Sequence, residues 1–175
     1  MTEFCSFAAM KDTILSLCPG PWTDYELIDT GGFEKLERFG KFILSRPEPQ
    51  AIWDKSLPDT DWKKLAHAHF AKEKNNPEKG QWQQLKPMPD HWQLPYENAE
   101  GLKMTLNLSQ TSFKHIGVFP EQAVNWDYLY QKLKAFPTPK PKVLNLFGYT
   151  GAASVAARAA GAEVSHLDSV KQVVT

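Results

Sequence analysis

The 175-residue sequence is poor in cysteine. Cys5 and Cys18 are its only two, and neither a CxxC pair nor a Cys/His spacing suited to zinc occurs. This excludes a disulfide framework and favours a reducing environment. No stretch reaches the roughly 18 apolar residues of a membrane-spanning helix. The N-terminus carries Glu3 where a secretory signal would be basic. These absences predict a cytoplasmic protein.

The sequence also has no excess of charge of one sign. Lys and Arg total 20, as do Asp and Glu. The overall charge therefore does not indicate a polyanionic partner, and any contact with nucleic acid has to be local. What the sequence does have is a hydrophobic fraction of 42% and six Trp. That composition is typical of a folded globular protein and excludes a disordered one.

The first 137 residues consist mainly of short runs typical of antiparallel strands, separated by Gly or Pro. An amphipathic pattern with Trp62 and Leu65 on one face predicts a single helix among them. The predicted elements are a lead-in helix at 7–17, strands at 25–32, 33–40 and 41–47, a helix at 59–72, an exposed turn at 71–80, strands at 81–87, 91–97 and 102–109, and a helix at 124–136.

A different kind of sequence follows the stiff PTPKP segment at 137–141. KVLNLF is a continuous apolar run of the sort found in a parallel strand buried on both faces. AASVAARAAGA predicts an Ala-rich helix that ends at Gly161, and EVSHLD predicts a second buried strand. Together they predict a βαβ unit, the seed of a doubly wound sheet. We therefore predict a mainly β domain over residues 1–137 and an incomplete α/β domain over residues 138–175.

The turn after the first strand of a βαβ unit presents backbone N–H groups and a helix N-terminus to a ligand. Gly148 and Gly151 in NLFGYTG would let an adenosine cofactor approach the backbone. Asp168 lies 17 residues after Gly151, where the second strand should end, and an acid there can accept hydrogen bonds from both ribose hydroxyls. An alternative role for Asp168 is to cap the helix that follows.

The segment from Val143 to Val170 resembles motif I and the following acidic strand end of class I S-adenosylmethionine (SAM) dependent methyltransferases. It is most similar to the branch that includes large-subunit ribosomal RNA methyltransferases, in which NxFxYTG replaces the usual DxGxGxG. Asn145 stands where the generic family has Asp, and Phe147 and Tyr149 stand where it has Gly. The lack of GxGxxG argues against an NAD-dependent oxidoreductase.

FKHIGVFPEQAVNWDYL, at 113–129, resembles the element that precedes motif I in that branch and closes over the cofactor. The resemblance implies an α/β methyltransferase whose first domain binds substrate, with SAM over the 145–151 turn and RNA as the substrate class. The family's catalytic elements come later in the chain, so it also implies a truncated chain that is inactive alone. The implied SAM-binding residues are Phe119, Gln122, Asn125, Asn145, Phe147, Gly148, Tyr149, Thr150, Gly151, Asp168 and Ser169.

A non-enzymatic module that binds RNA or a protein is the main rival interpretation. Aromatic residues of the first domain offer a base-stacking platform in that case, although core packing is their commoner use. These residues are Trp53, Trp62, Trp82, Trp92 and Tyr96.

Two further expectations concern metal binding and association. His67 and His69, at i and i+2 of the predicted helix, would point to different faces, and this spacing does not form a chelate. An incomplete parallel sheet leaves an open edge and an uncovered apolar face. We therefore expect association or partial disorder after about residue 140.

Overall fold

The structure is a computed structural model that describes residues 17–18, 20–73 and 76–171. The lead-in helix predicted at 7–17 lies almost entirely outside these residues, as does Cys5. The described elements are β1 (Tyr25–Gly31), β2 (Glu34–Phe39), β3 (Phe42–Pro47), α1 (Asp59–Leu65), β4 (Ala68–Glu73), β5 (Asn76–Gln84), β6 (His91–Glu97), β7 (Lys103–Ser109), a short 3-10 helix (Pro120–Gln122), α2 (Ala123–Lys134), β8 (Lys142–Leu146), α3 (Ala152–Ala159) and β9 (Glu163–Leu167).

Strands β1 to β5 form one five-stranded sheet in chain order. β1, β2 and β3 are an antiparallel meander, which confirms the three strands predicted there. The tight turn between β1 and β2 is formed by Gly32 and Phe33, both with positive φ. β3 pairs in parallel with β4 through Leu44 and Ala68, and α1 lies in the connection between them. β4 and β5 then form an antiparallel hairpin.

The single helix predicted over residues 59–72 is wrong in its second half. α1 ends at Leu65, and Ala66 already has an extended backbone. The next residues form β4, whose inward side chains Ala68 and Phe70 are fully buried. Pairing on both sides, with β3 and with β5, therefore outweighs the local helical pattern. The exposed turn predicted at 71–80 is correspondingly mostly strand, and His67 and His69 do not lie on a helix.

β6 and β7 form a two-stranded hairpin whose side chains alternate between buried and exposed. Its buried face packs with α2 in the main hydrophobic cluster, where the Tyr96 ring meets Trp126 edge-on at 5.3 Å between centroids. Trp62, Trp92 and Tyr96 are buried, as core packing requires, whereas Trp53 is 52% exposed. Most of the suggested aromatic platform is therefore core. No helix in the described part of the chain is long and apolar enough to span a membrane.

The βαβ unit predicted after residue 141 is present. β8 and β9 pair in parallel, from Lys142 opposite Glu163 to Leu146 opposite Leu167, and α3 connects them. The prediction that these strands are buried on both faces is wrong for the described chain. Leu144 and Leu146 are 64% and 50% exposed, because α3 packs on one face and no described element covers the other. Association through this apolar face stays a prediction.

Candidate functional site

The turn between β8 and α3 has an uncommon backbone conformation. Phe147 and Tyr149 have φ of 57° and 50°, in the left-handed region that non-glycine residues rarely adopt. Each such residue costs about 1–2 kcal/mol relative to ordinary backbone. Two hydrogen bonds stabilise the turn, from the Gly148 amide to the Leu167 carbonyl at 3.0 Å and from the Gly151 amide to the Gly148 carbonyl at 3.0 Å. Backbone held in this state by its surroundings is a common feature of functional sites.

Glycine is required at position 148 because the side chain of His166 lies very close to its backbone. A Cβ at this position would collide with the imidazole of His166, which lies on β9 beside the turn. His166 Nδ1 lies 2.9 Å from the Ser154 hydroxyl, and that oxygen accepts a hydrogen bond from Asn145 Nδ2 at 2.9 Å. Asn145 thus belongs to a polar network that supports the turn. Sequence reasoning missed Ser154 and His166, because neither belongs to the motif. In the structure His166 lies on the inward, half-buried side of β9.

Asp168 follows β9, and its carboxylate faces the turn. Its Oδ1 accepts the Val170 amide at 2.8 Å, and its Oδ2 accepts the Tyr149 amide at 2.8 Å. These hydrogen bonds hold the pKa of Asp168 below its usual value, so the group is charged at neutral pH. The bond to Val170 is a local side-chain-to-backbone bond, whereas the helix that the alternative interpretation has Asp168 capping would lie mostly outside the described residues. The bond to Tyr149 joins the second strand end to the turn, and the ribose-binding and capping roles of Asp168 both stay predictions.

A cavity of about 350 Å³ lies between this turn and the segment that precedes α2. That volume is within the range of small-molecule sites. Trp126 of α2 and the first residues of α3 form the rest of its wall. The structure therefore brings together most of the residues that the sequence assigned to SAM: Phe119, Gln122, Asn145, Phe147, Gly148, Tyr149 and Thr150.

Two contacts hold the preceding segment against the turn. The Thr150 hydroxyl donates to the Gly117 carbonyl at 2.7 Å, although the two residues are 33 positions apart. The rings of Phe119 and Tyr149 pack with their centroids 4.8 Å apart. The segment thus forms one wall of the cavity and is fixed to the turn by its own residues.

The remaining predicted residues lie outside this cavity. Asn125 is exposed, and its Nδ2 donates to Gln122 Oε1 at 2.8 Å, so it orients Gln122. Asp168 lines a second cleft, of about 800 Å³, that shares Tyr149 and Thr150 with the first cavity. Gly151 and Ser169 line neither space, and Gly151 is the residue before α3. Among the described residues, no three His, Cys, Asp or Glu side chains group as a metal site.

Comparison with solved structures relates this architecture to methyltransferases. The chain is similar to a SAM-dependent methyltransferase from Agrobacterium tumefaciens, with 39% identity over 86% of this chain and 45% of that one and a TM-score of 0.75. No family model and no curated protein matches the sequence.

Two more distant structures share the fold. One is a Streptococcus mutans protein described as a SAM-dependent methyltransferase, and the other is described as a methyltransferase complexed with SAH. Each is 20% identical, over 87% of this chain and 40% of the other, with TM-scores of 0.59 and 0.57. The chain therefore spans less than half the length of each of the three structures.

Proposed function

We propose that this chain is part of a SAM-dependent methyltransferase and binds SAM over the 145–151 turn. The observation that carries the proposal is the strained turn between β8 and α3, with the Asp168 carboxylate bonded to its Tyr149 amide beside a cavity of suitable size. The 39% identity to a SAM-dependent methyltransferase supports this assignment, and the SAH complex of a protein with the same fold supports an adenosine cofactor.

The chemistry of the residues fits the two ends of SAM. A carboxylate accepts about four hydrogen bonds, so Asp168 retains capacity for ribose hydroxyls in the wider cleft. The narrower cavity offers the Gln122 amide and the backbone of the turn to the methionine end. The two spaces share Tyr149 and Thr150 in their linings and so lie side by side, and SAM would extend from one to the other. Bound SAM would supply an electrophilic methyl group on its sulfonium.

This chain's own contribution would be to bind and orient the cofactor. Phe119 and Gln122 would cover it, with Asn125 holding the Gln122 amide in place. Positioning of this kind can account for much of the rate of a transfer reaction. We assign no residue of this chain to the transfer step itself.

We propose RNA as the substrate class and residues 1–137 as a substrate-binding domain, with residues 138–175 beginning the Rossmann-like domain. The resemblance of NLFGYTG to the ribosomal RNA branch supports both proposals. Methylation of RNA, but not of protein, by a preparation that contains the complete enzyme would be the expected result. Transfer to protein alone would contradict the RNA assignment.

Calorimetric titration with SAH tests the cofactor site. The wild-type chain should bind, and Asp168→Ala should bind at least tenfold more weakly, because hydrogen bonds to a charged group are worth about 1.5–3 kcal/mol each. Asp61→Ala removes an exposed carboxylate on α1 and is the matched control, expected to bind normally.

The proposal is wrong if the folded wild-type chain does not bind SAH, or if Asp168→Ala binds it as tightly as the wild type. Competition by NADH would favour an oxidoreductase instead. Circular dichroism and thermal unfolding of each variant establish that it is folded.

A further inference from the structure

Arg46 of β3 is a buried cation with an unusual set of partners. Its side chain is 5% exposed, and its guanidinium donates to Glu37 Oε2 of β2 from Nε at 2.9 Å and from Nη2 at 2.6 Å. The guanidinium also lies over the Phe39 ring, 5.3 Å from its centroid. These contacts fix the orientation of the guanidinium on the face of the five-stranded sheet.

Other groups complete the surroundings of Glu37. The Tyr25 hydroxyl donates to Glu37 Oε1 at 3.0 Å, and Lys35 Nζ lies 3.6 Å from the same oxygen. Because the fork of Arg46 uses Nε and Nη2 on Glu37, its Nη1 is available to a different partner. Nη1 donates to the backbone carbonyl of Lys114 at 3.2 Å, which is 68 positions away in the sequence.

Lys114 lies at the start of the segment that forms one wall of the cavity described above. Three residues later the Gly117 carbonyl accepts a hydrogen bond from the Thr150 hydroxyl. Two residues further on, the Phe119 ring packs on Tyr149. The segment is therefore fixed at its later part to the turn and at its beginning to Arg46. The Arg46 contact joins the five-stranded sheet to the wall of the cavity.

We infer that Arg46 is a positioning residue for the SAM site, acting through the Lys114 carbonyl, with Glu37 holding its guanidinium in place. The effect of Arg46 on SAM binding rests on the proposed function, whereas the contact between Arg46 and Lys114 does not depend on it. The stability of the protein does not by itself explain why a buried Arg–Glu pair is present here, since replacing a buried ion pair by apolar residues is often neutral or stabilising. What apolar residues would not replace is the N–H donor to Lys114.

The experiment uses the double variant Glu37→Met/Arg46→Met, which removes both charges and so leaves neither buried alone. Hydrogen exchange of the Ser109 and Gln122 amides, which donate to the Ile116 and Phe119 carbonyls of this wall at 3.0 Å each, should be about tenfold faster than in the wild type. The SAH dissociation constant should rise about tenfold, because the wall of the cavity is less ordered before binding.

Glu26→Met/Arg38→Met is the matched control. It removes an Arg–Glu pair of the same sheet, 3.1 Å apart, whose guanidinium otherwise donates to the Thr23 and Gly40 carbonyls and not to the wall. Exchange at Ser109 and Gln122 and the affinity for SAH should both remain at the wild-type values in this control.

Each outcome decides a different point. A folded Glu37→Met/Arg46→Met variant with wild-type exchange and wild-type affinity overturns the inference. Faster exchange in a chain whose wild type does not bind SAH upholds the contact and rejects the proposed function instead. If the double variant does not fold, Arg46→Lys takes its place, since an ammonium keeps the charge but lacks the planar fork that bridges Glu37 and Lys114. Unchanged exchange and affinity in Arg46→Lys would then overturn the inference.

Discussion

Gly148→Ala is the substitution whose effect the structure defines most sharply. The added methyl group would collide with two ring atoms of His166, and the ring is held by the Ser154 hydroxyl. The ring can move only if that hydrogen bond is broken, and otherwise the turn itself must shift. Either response disturbs the backbone that forms one wall of the proposed SAM site.

The expected loss follows from two contributions. Forcing a methyl group into a packed site costs about 1–3 kcal/mol. Losing the hydrogen bond between Ser154 and His166 costs about 1 kcal/mol more. Taking about 3 kcal/mol in total, a chain of this size should unfold at a temperature lower by about 6–12 °C. Affinity for SAH should fall by at least tenfold if the turn shifts.

Thermal unfolding and SAH titration measure these two effects. Gly20→Ala is the matched control, since a Cβ at Gly20 meets no atom within 4 Å, and it should match the wild type. Removing the ring should relieve the collision, so Gly148→Ala should cost less in a His166→Ala background than alone. Equal effects of Gly148→Ala in both backgrounds, or an effect no larger than that of Gly20→Ala, would refute the reasoning.

Two other substitutions test the supports of the fold and of the cavity. Asp29 is buried and accepts four hydrogen bonds, among them one from Trp62 Nε1 at 2.8 Å, so Asp29→Ala should destabilise by about 3–5 kcal/mol in urea unfolding. Burial raises the pKa of Asp29, but these bonds outweigh it and leave the pKa low. Its stabilisation is therefore present at neutral pH and lost as pH falls below about 4. Thr150→Val removes the bond to Gly117 and should weaken SAH binding about threefold to tenfold, with little change in melting temperature.

These two predictions have their own contradicting results. Wild type and Asp29→Ala with the same dependence of stability on pH between about 2 and 5 would show that Asp29 is not the titrating group. For Thr150, Thr150→Ser is the control, because it keeps the hydroxyl. The reasoning fails if Thr150→Ser and Thr150→Val bind SAH equally.

Elements with a local signal were predictable from the sequence. The first meander follows from its glycine-separated runs, and α2 follows from its helical periodicity. β4 was not predictable, because AHFAKE carries no strand signal of its own and the strand forms only through pairing with β3 and β5. Likewise the apolar run in β8 indicates a strand but not what covers it, so the exposure of Leu144 was missed.

The residues of the candidate site also fall into those with a local signal in the sequence and those without one. The NLFGYTG motif and the acid at the end of β9 predicted that Asp168 lies close to the turn, and the hydrogen bond between Asp168 and Tyr149 is present. His166 and Arg46 carry no motif, since their roles depend on contacts with residues distant in the sequence. Roles of this kind follow from the tertiary structure and have no local signal in the sequence.

The parallel pairing of β3 with β4 also bears on the order in which the chain assembles. The meander and the β4–β5 hairpin are each closed by short connections, so each can form from contacts near in sequence. Joining them brings Leu44 to Ala68, 24 positions apart, and a longer loop costs more entropy to close. We therefore expect the five-stranded sheet to be completed late in folding, after the meander and the β4–β5 hairpin have formed.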